Sequence, residues 1–130
     1  QLLIEELKTV AHLPFHLPWP NDGLMGQVCE HLMRDLAQAS NAEVVAQDHA
    51  MTSKPLHRRF LTSTGMNFGK WRQKMRLLKS MEMLLQGMPI TSVALESGYE
   101  SHSAYSVAFK KIFGCPPSEF LASAAGTREI

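Results

Sequence analysis

The sequence predicts an all-α fold: two similar units, each a short helix, a turn and a longer helix, on either side of one long connecting helix. About seven helices are expected in all. Three observations predict this. Residues 68–86 carry apolar side chains at Trp71, Met75, Leu78, Met81 and Leu85, with Leu77, Leu84 and Met88 widening the stripe. That is the spacing of one buried helix face. Similar patterns flank this stretch: Val45-Ala46-x3-Ala50-Met51 then Leu56-x3-Phe60-x4-Gly65 before it, and Val93-Ala94-x3-Gly98-Tyr99 then Tyr105-x3-Phe109-x4-Gly114 after it. The copies are offset by 48 residues, and by 49 beyond one extra residue in the second turn. Finally, no strand alternation of any length competes.

A chain of 130 residues bounds the answer to one domain, or two small lobes sharing a helix. An apolar share of 45% suffices for a core, and eight Met suit adaptable packing. A chain that begins with Gln is expected to be a fragment or a processed product. No apolar run approaches the ~18–20 residues of a membrane span, and no signal-peptide pattern is present. No membrane role and a cytoplasmic location are therefore expected. Cys29 and Cys115 are too few for a disulfide framework, which points to reduced thiols.

The net charge of +1 conceals a lopsided distribution. The balance is −5 over residues 1–48, +8 over residues 49–81 and −2 over residues 82–130. The middle stretch, with Lys54, Arg58, Arg59, Lys70, Arg72, Lys74, Arg76 and Lys79, contains no acid. Such a chain can present a positive surface to a polyanion despite near-neutrality overall. The plainer alternative is a solvated helix face.

Taken in order, residues 1–20 begin with a short amphipathic piece and are then broken by Pro14, Pro18 and Pro20. They read as a stiff linker or the end of a preceding domain. His12 and His16 lack any accompanying ligand pattern, and no metal site or cofactor is expected. Asn21 or Asp22 can cap a helix over about Gly23–Ala39, striped by Leu24, Val28, Leu32 and Leu36. Ser40-x-x-Glu43 has the form of a capping box for a short helix over about Asn41–His49. Thr52 or Ser53 can cap the next helix, Pro55 is tolerated in its first turn, and Gly65 ends it. Gly87 and Pro89 stop the long helix. Thr91 can cap a short helix to about Ser97, Gly98 suits a tight turn, and Ser101 can cap a helix reaching Phe113. A last short helix, Ser118–Ala122, precedes a flexible tail, residues 124–130.

Short helix, turn, long helix describes a helix-turn-helix. Ala46 and Ala94 are the small residues such a unit needs where its helices meet; Gly98 suits the turn better than Ala50 does. On a helical wheel, with Leu56 and Phe60 inward, Lys54 and Arg58 point away and His57 and Arg59 lie on the flanks. With Tyr105 and Phe109 inward, Ser103, Val107, Lys110 and Lys111 point outward and His102 and Ser106 lie nearer the flanks. The first face is rich in donors for guanine edges and phosphates, while the second offers hydroxyls and a valine suited to a thymine methyl. Trp71 and the Met residues of the long helix are expected in the core, and His31 and His49 on polar surfaces. No catalytic set is present, so no enzyme activity is expected.

Residues from about 24 to 121 resemble the DNA-binding domain of AraC/XylS-type bacterial transcription regulators. The resemblance rests on Pro89-Ile90-x2-Val93-Ala94-x3-Gly98-Tyr99-x-Ser101-x-Ser103-Ala104-Tyr105-x3-Phe109-Lys110-x2-Phe113-Gly114-x-Pro116. Leu56-x-Arg58-x-Phe60-x4-Gly65 and Trp71-x4-Arg76 add to it. It implies homeodomain-like lobes within a DNA-binding domain over 21–123: a first helix-turn-helix at about 42–65, a connecting helix at about 68–86 and a second helix-turn-helix at about 91–114. By position it implies base contacts from Lys54, His57 and Arg58 and from His102, Ser103, Ser106 and Val107. Val107 stands where members often carry a longer polar or basic side chain. Phosphate contacts are expected from Arg59, Lys70, Lys110 and Lys111. A connecting helix of roughly 28 Å compares with the ~34 Å repeat of B-DNA, so two recognition helices are expected in successive major grooves. The expected partners are double-stranded DNA, RNA polymerase if the protein activates, and a small-molecule effector acting only through a missing N-terminal sensing domain. The alternative is a helical protein-interaction module that sets its basic face against an acidic partner.

Overall fold

The computed structural model describes residues 16–36 and 41–129. Among them the chain forms α1 (Gly23–Arg34), α2 (Ala42–Asp48), α3 (Ser53–Thr64), α4 (Phe68–Leu85), α5 (Ile90–Glu96), α6 (His102–Phe113) and α7 (Pro117–Glu129), with no strand. Of the two candidate caps for α1, Asp22 serves: its carboxylate accepts from the backbone N–H of Leu24 at 3.0 Å and of Met25 at 3.4 Å. The helix stops at Arg34, short of the expected Ala39, and Ser40 of the expected capping box lies outside the described residues. Asn41, as good a cap as serine, accepts from Val44 N–H at 3.0 Å instead. The expected linker is described only from His16 onward.

The described residues divide into two compact units, with the boundary between Met75 and Arg76. The first core is built by Met25, Val28, Cys29 and Leu32 of α1, Val45 and Ala46 of α2, Leu56 and Phe60 of α3, and Phe68, Trp71 and Met75 of α4. The second is built by Leu77, Met81 and Leu84 of α4, Val93 and Ala94 of α5, and Tyr105, Ala108 and Phe109 of α6. Helix α4 therefore carries two buried faces in succession. The single stripe expected through Leu78 and Leu85 does not describe its second half: Leu77 and Leu84 are fully buried there, whereas Leu85 is 42% exposed.

Two further boundaries differ from expectation. Helix α5 starts at Ile90 with Pro89 as its cap, φ −58°, so Thr91 lies inside the first turn. Proline's fixed φ suits a helix entry, and no side chain caps this end. Helix α7 runs from Pro117 to Glu129, well past Ala122 and through most of the stretch expected as a flexible tail. Ala122, Ala124 and Ala125 favour continuation, alanine being the best helix former, and the helix runs on through Gly126.

The duplication extends to the backbone hydrogen bonds. Met51 N–H donates to Ala46 O at 2.9 Å, and Tyr99 N–H to Ala94 O at 3.0 Å. Ala50 N–H donates to Gln47 O and Gly98 N–H to Leu95 O, both at 3.1 Å. The pivots are left-handed in both turns, φ 57° at Ala50 and 93° at Gly98. Gly65 and Gly114 close α3 and α6 alike, each donating at 2.8 Å to the carbonyl four residues back.

Candidate nucleic-acid interface

Helix α3 is oriented by what it buries. The Phe60 ring stands edge-on to Phe68 and Trp71, with centroids 5.4 and 5.5 Å apart. Leu56 is fully buried beside it. Trp71 in turn donates its indole N–H to the Pro18 carbonyl at 2.7 Å, and its ring meets Trp19 at 6.3 Å. With Leu56 and Phe60 fixed inward, Lys54 and Arg58 are left exposed on the opposite side and His57 exposed on the flank. The His57 ring meets the Phe68 edge at 5.9 Å and 89°, which steadies it on its flank.

Arg59 is exposed too but has a partner the sequence reading does not foresee. Its Nη2 donates to both carboxylate oxygens of Asp22 at 2.8 and 2.7 Å, and its Nε donates to Oδ2 at 2.9 Å. The guanidinium holds the Asp22 carboxyl below the usual carboxylate range, with the cap N–H groups adding to the effect. Arg59 thus faces the carboxylate that caps α1. No local pattern announces a pair 37 residues apart; the only signal was that Asp22 was already a candidate cap.

Helix α6 is held by Tyr105 and Phe109. The Tyr105 hydroxyl donates to Ser80 Oγ at 2.7 Å, and Ser80 donates on to Leu77 O at 2.6 Å, a buried chain that ties α6 to α4. Burial pushes the Tyr105 phenol up to about 12. Ser101 caps α6, accepting from Ala104 N–H at 3.1 Å. His102, Ser103, Val107, Lys110 and Lys111 are exposed and Ser106 is half-buried, with Val107 69% exposed. Lys110 and Lys111 occupy the last turn, where cations suit the helix dipole. Lys70 is exposed in the first turn of α4, and Asn67 caps its N–H at 2.9 Å. An anion at that helix end meets the positive end of the dipole as well as the ammonium.

His31 and His49 depart from expectation. Both are half-buried, and His31 Nδ1 lies 3.4 Å from His49 Nε2. His31 sits in the last turn of α1 and His49 is the C-cap of α2, so the two helix ends converge on this pair. Among the described residues no three His, Cys, Asp or Glu side chains gather as metal ligands. Cys29 lies in the first core, where burial raises its thiol to about 12 and keeps it protonated and inert.

A family model described as a helix-turn-helix domain matches residues 45–123. The HTH-type transcriptional regulator NimR of Escherichia coli (strain K12) is 28% identical over 122 residues, covering 94% of this chain and 45% of NimR. The regulatory protein SoxS of Salmonella typhimurium (strain LT2) is 30% identical over 92 residues, covering 70% of this chain and 86% of SoxS. The chain thus spans less than half the length of NimR but most of SoxS. Among solved structures, the DNA-binding domain of AdpA in complex with a target DNA shares the fold. Its TM-score is 0.73 at 24% identity, with 84% of this chain and 98% of that one covered. No helix among the described residues is long and apolar enough to cross a membrane.

Proposed function

The chain belongs to the AraC/XylS family of helix-turn-helix transcription regulators, and on that premise we propose how it reads double-stranded DNA. Helices α3 and α6 are the recognition helices. Lys54, His57 and Arg58 face bases from α3; His102, Ser103, Ser106 and Val107 face them from α6. Lys70, Lys110 and Lys111 neutralise phosphates. The observation that carries this reading is the repeated unit itself. Each long helix is anchored through one buried pair, Leu56 and Phe60 or Tyr105 and Phe109, and leaves its opposite face exposed. That is what a helix needs in order to lie in a major groove.

Arg58 is suited to bidentate bonding with guanine, and Lys54 on the same face to guanine or phosphate. Val107 offers a methyl surface for thymine. The two recognition helices enter successive major grooves, which repeat every ~34 Å along B-DNA. The protein works in the cytoplasm. RNA polymerase, if it activates, and a small-molecule effector acting through a separate N-terminal domain complete the proposed partners.

Selection of bound sequences from random duplex, followed by shift assays in rising salt, tests this. Groove reading yields a recovered consensus and a steep fall in binding between ~50 and ~200 mM salt. A helical module built for an acidic protein partner yields no consensus, and that result sinks the reading.

A further inference from the structure

The Asp22–Arg59 pair bears on how much of the positive charge of α3 reaches DNA. We infer that Asp22 is a positioning residue: it holds Arg59 in an internal ion pair and so withholds one cation from the phosphate backbone. The inference rests on the DNA-binding reading above and concerns its sequence-independent part.

Three features argue that the pair survives docking. Arg59 makes three contacts of 2.7–2.9 Å to a single carboxylate, a geometry in which one swing of the side chain loses all three. The carboxylate cannot follow the arginine, because the same group caps α1 through Leu24 and Met25. The chain just before it is held as well, by the bond from Trp71 to the Pro18 carbonyl. In the second unit the position corresponding to Arg59 is Ala108, a buried residue without charge. Neither unit then offers a phosphate contact at this helix position. Phosphate contacts strengthen binding to every sequence, so a withheld cation lowers the affinity for competing, non-specific duplex.

The test uses a pool of random-sequence duplex and measures the slope of log affinity against log salt. Asp22→Asn keeps a good N-cap but loses the charge that holds Arg59. Its slope should steepen by about 0.9, an additional loss of about 3.5-fold between ~50 and ~200 mM salt. Arg59→Ala alone should leave the parental slope unchanged, and Arg59→Ala in the Asp22→Asn background should restore it. Asp22→Glu, which retains a carboxylate for the guanidinium, should keep the parental slope. The inference is overturned if Arg59→Ala alone flattens the slope by about one unit, or if Asp22→Asn lowers only the melting temperature. A parental protein that binds no duplex at all is a different result, and it takes the functional reading down together with this one.

Discussion

At corresponding places in the two units, α3 presents Lys54, His57 and Arg58 where α6 presents Ser103, Ser106 and Val107. The backbones beneath them repeat, down to the turn hydrogen bonds and the left-handed pivots. Buried anchors differ as much as the outer faces do. The first unit fixes its recognition helix through Phe60, Phe68 and Trp71. The second uses Tyr105 and a polar chain through Ser80 to Leu77. A helix-turn-helix is thus a geometric specification, met by an aromatic cluster in each unit, one tied by the Trp71 indole to the Pro18 carbonyl and the other, with Phe109, Phe113 and Phe120, by the Tyr105 hydroxyl to Ser80. The exposed face is then free to vary without cost to the fold.

The largest effect should come from removing the anchor of the first unit. Trp71 is fully buried, and its indole N–H ends on a backbone carbonyl. Trp71→Ala should cost about 3–5 kcal/mol of stability in chemical denaturation. If the comparison holds, that loss falls on the first unit. A mutant that melts within a degree or two of the parent breaks it.

Next comes the division of base reading. A bidentate contact from Arg58 to guanine is worth roughly 1–3 kcal/mol at one base pair. Arg58→Ala should therefore relax the preference at that pair and leave the second half-site alone. Val107 has no hydrogen-bonding group, so Val107→Ala should cost under about 1 kcal/mol, mainly at a thymine. Binding-site selections on Arg58→Ala and on a His102→Ala/Ser103→Ala double variant decide the ranking. The first unit is not the dominant reader if the double variant loses more sequence information.

The buried hydroxyl of the second unit makes a smaller, pH-dependent prediction. Burial, the largest cause, lifts Tyr105 from its ordinary 10.0 to about 12, so folding favours the neutral phenol. Its contribution is complete below pH 10.0 and is lost as pH rises through about 12. Tyr99 is raised by burial as well and adds to the same loss. Cys29, lifted from 9.0 to about 12, gives the first unit a loss of the same sign that sets in earlier. Tyr105→Phe should cost about 1 kcal/mol near neutrality and then lose less than the parent over the alkaline range. Denaturant melts at neutral and alkaline pH, monitored on both proteins, check it.

Periodicity and turn residues made the helices and the repeat legible, because both are local. Trp71, Phe60, Tyr105 and Phe109 were readable as core for the same reason. What was not legible depended on distance in the chain. The Asp22–Arg59 pair, the His31–His49 contact and the Tyr105–Ser80 bond join residues 37, 18 and 25 positions apart, and no spacing rule encodes them. The second buried face of α4 was hidden in another way. Leu77, Leu78, Leu84 and Leu85 are all leucines, and only the packing of the second core decides which two go inside. On the candidate interface the exposed positions followed from the wheel, but Arg59's direction did not, since a flank residue can turn to either side.

The smallest effect sharpens the comparison most directly, since it exchanges the two pivots. Ala50 and Gly98 occupy the same left-handed turn position, with φ 57° and 93°. An L-residue with a Cβ pays about 1–2 kcal/mol to sit there, and glycine does not. Ala50→Gly relieves that strain but gives the unfolded chain more freedom, which subtracts about 0.4–1 kcal/mol. The net expectation is a gain of roughly 0–1.6 kcal/mol in the first unit, centred a little below 1. Gly98→Ala meets both terms with the opposite sign and should lose a similar amount in the second. Two single-site melts therefore suffice: opposite shifts of comparable size mean that the two turns do the same work. Should Ala50→Gly destabilise, the methyl of Ala50 has a packing role that strain relief does not offset, and the two turns are not equivalent.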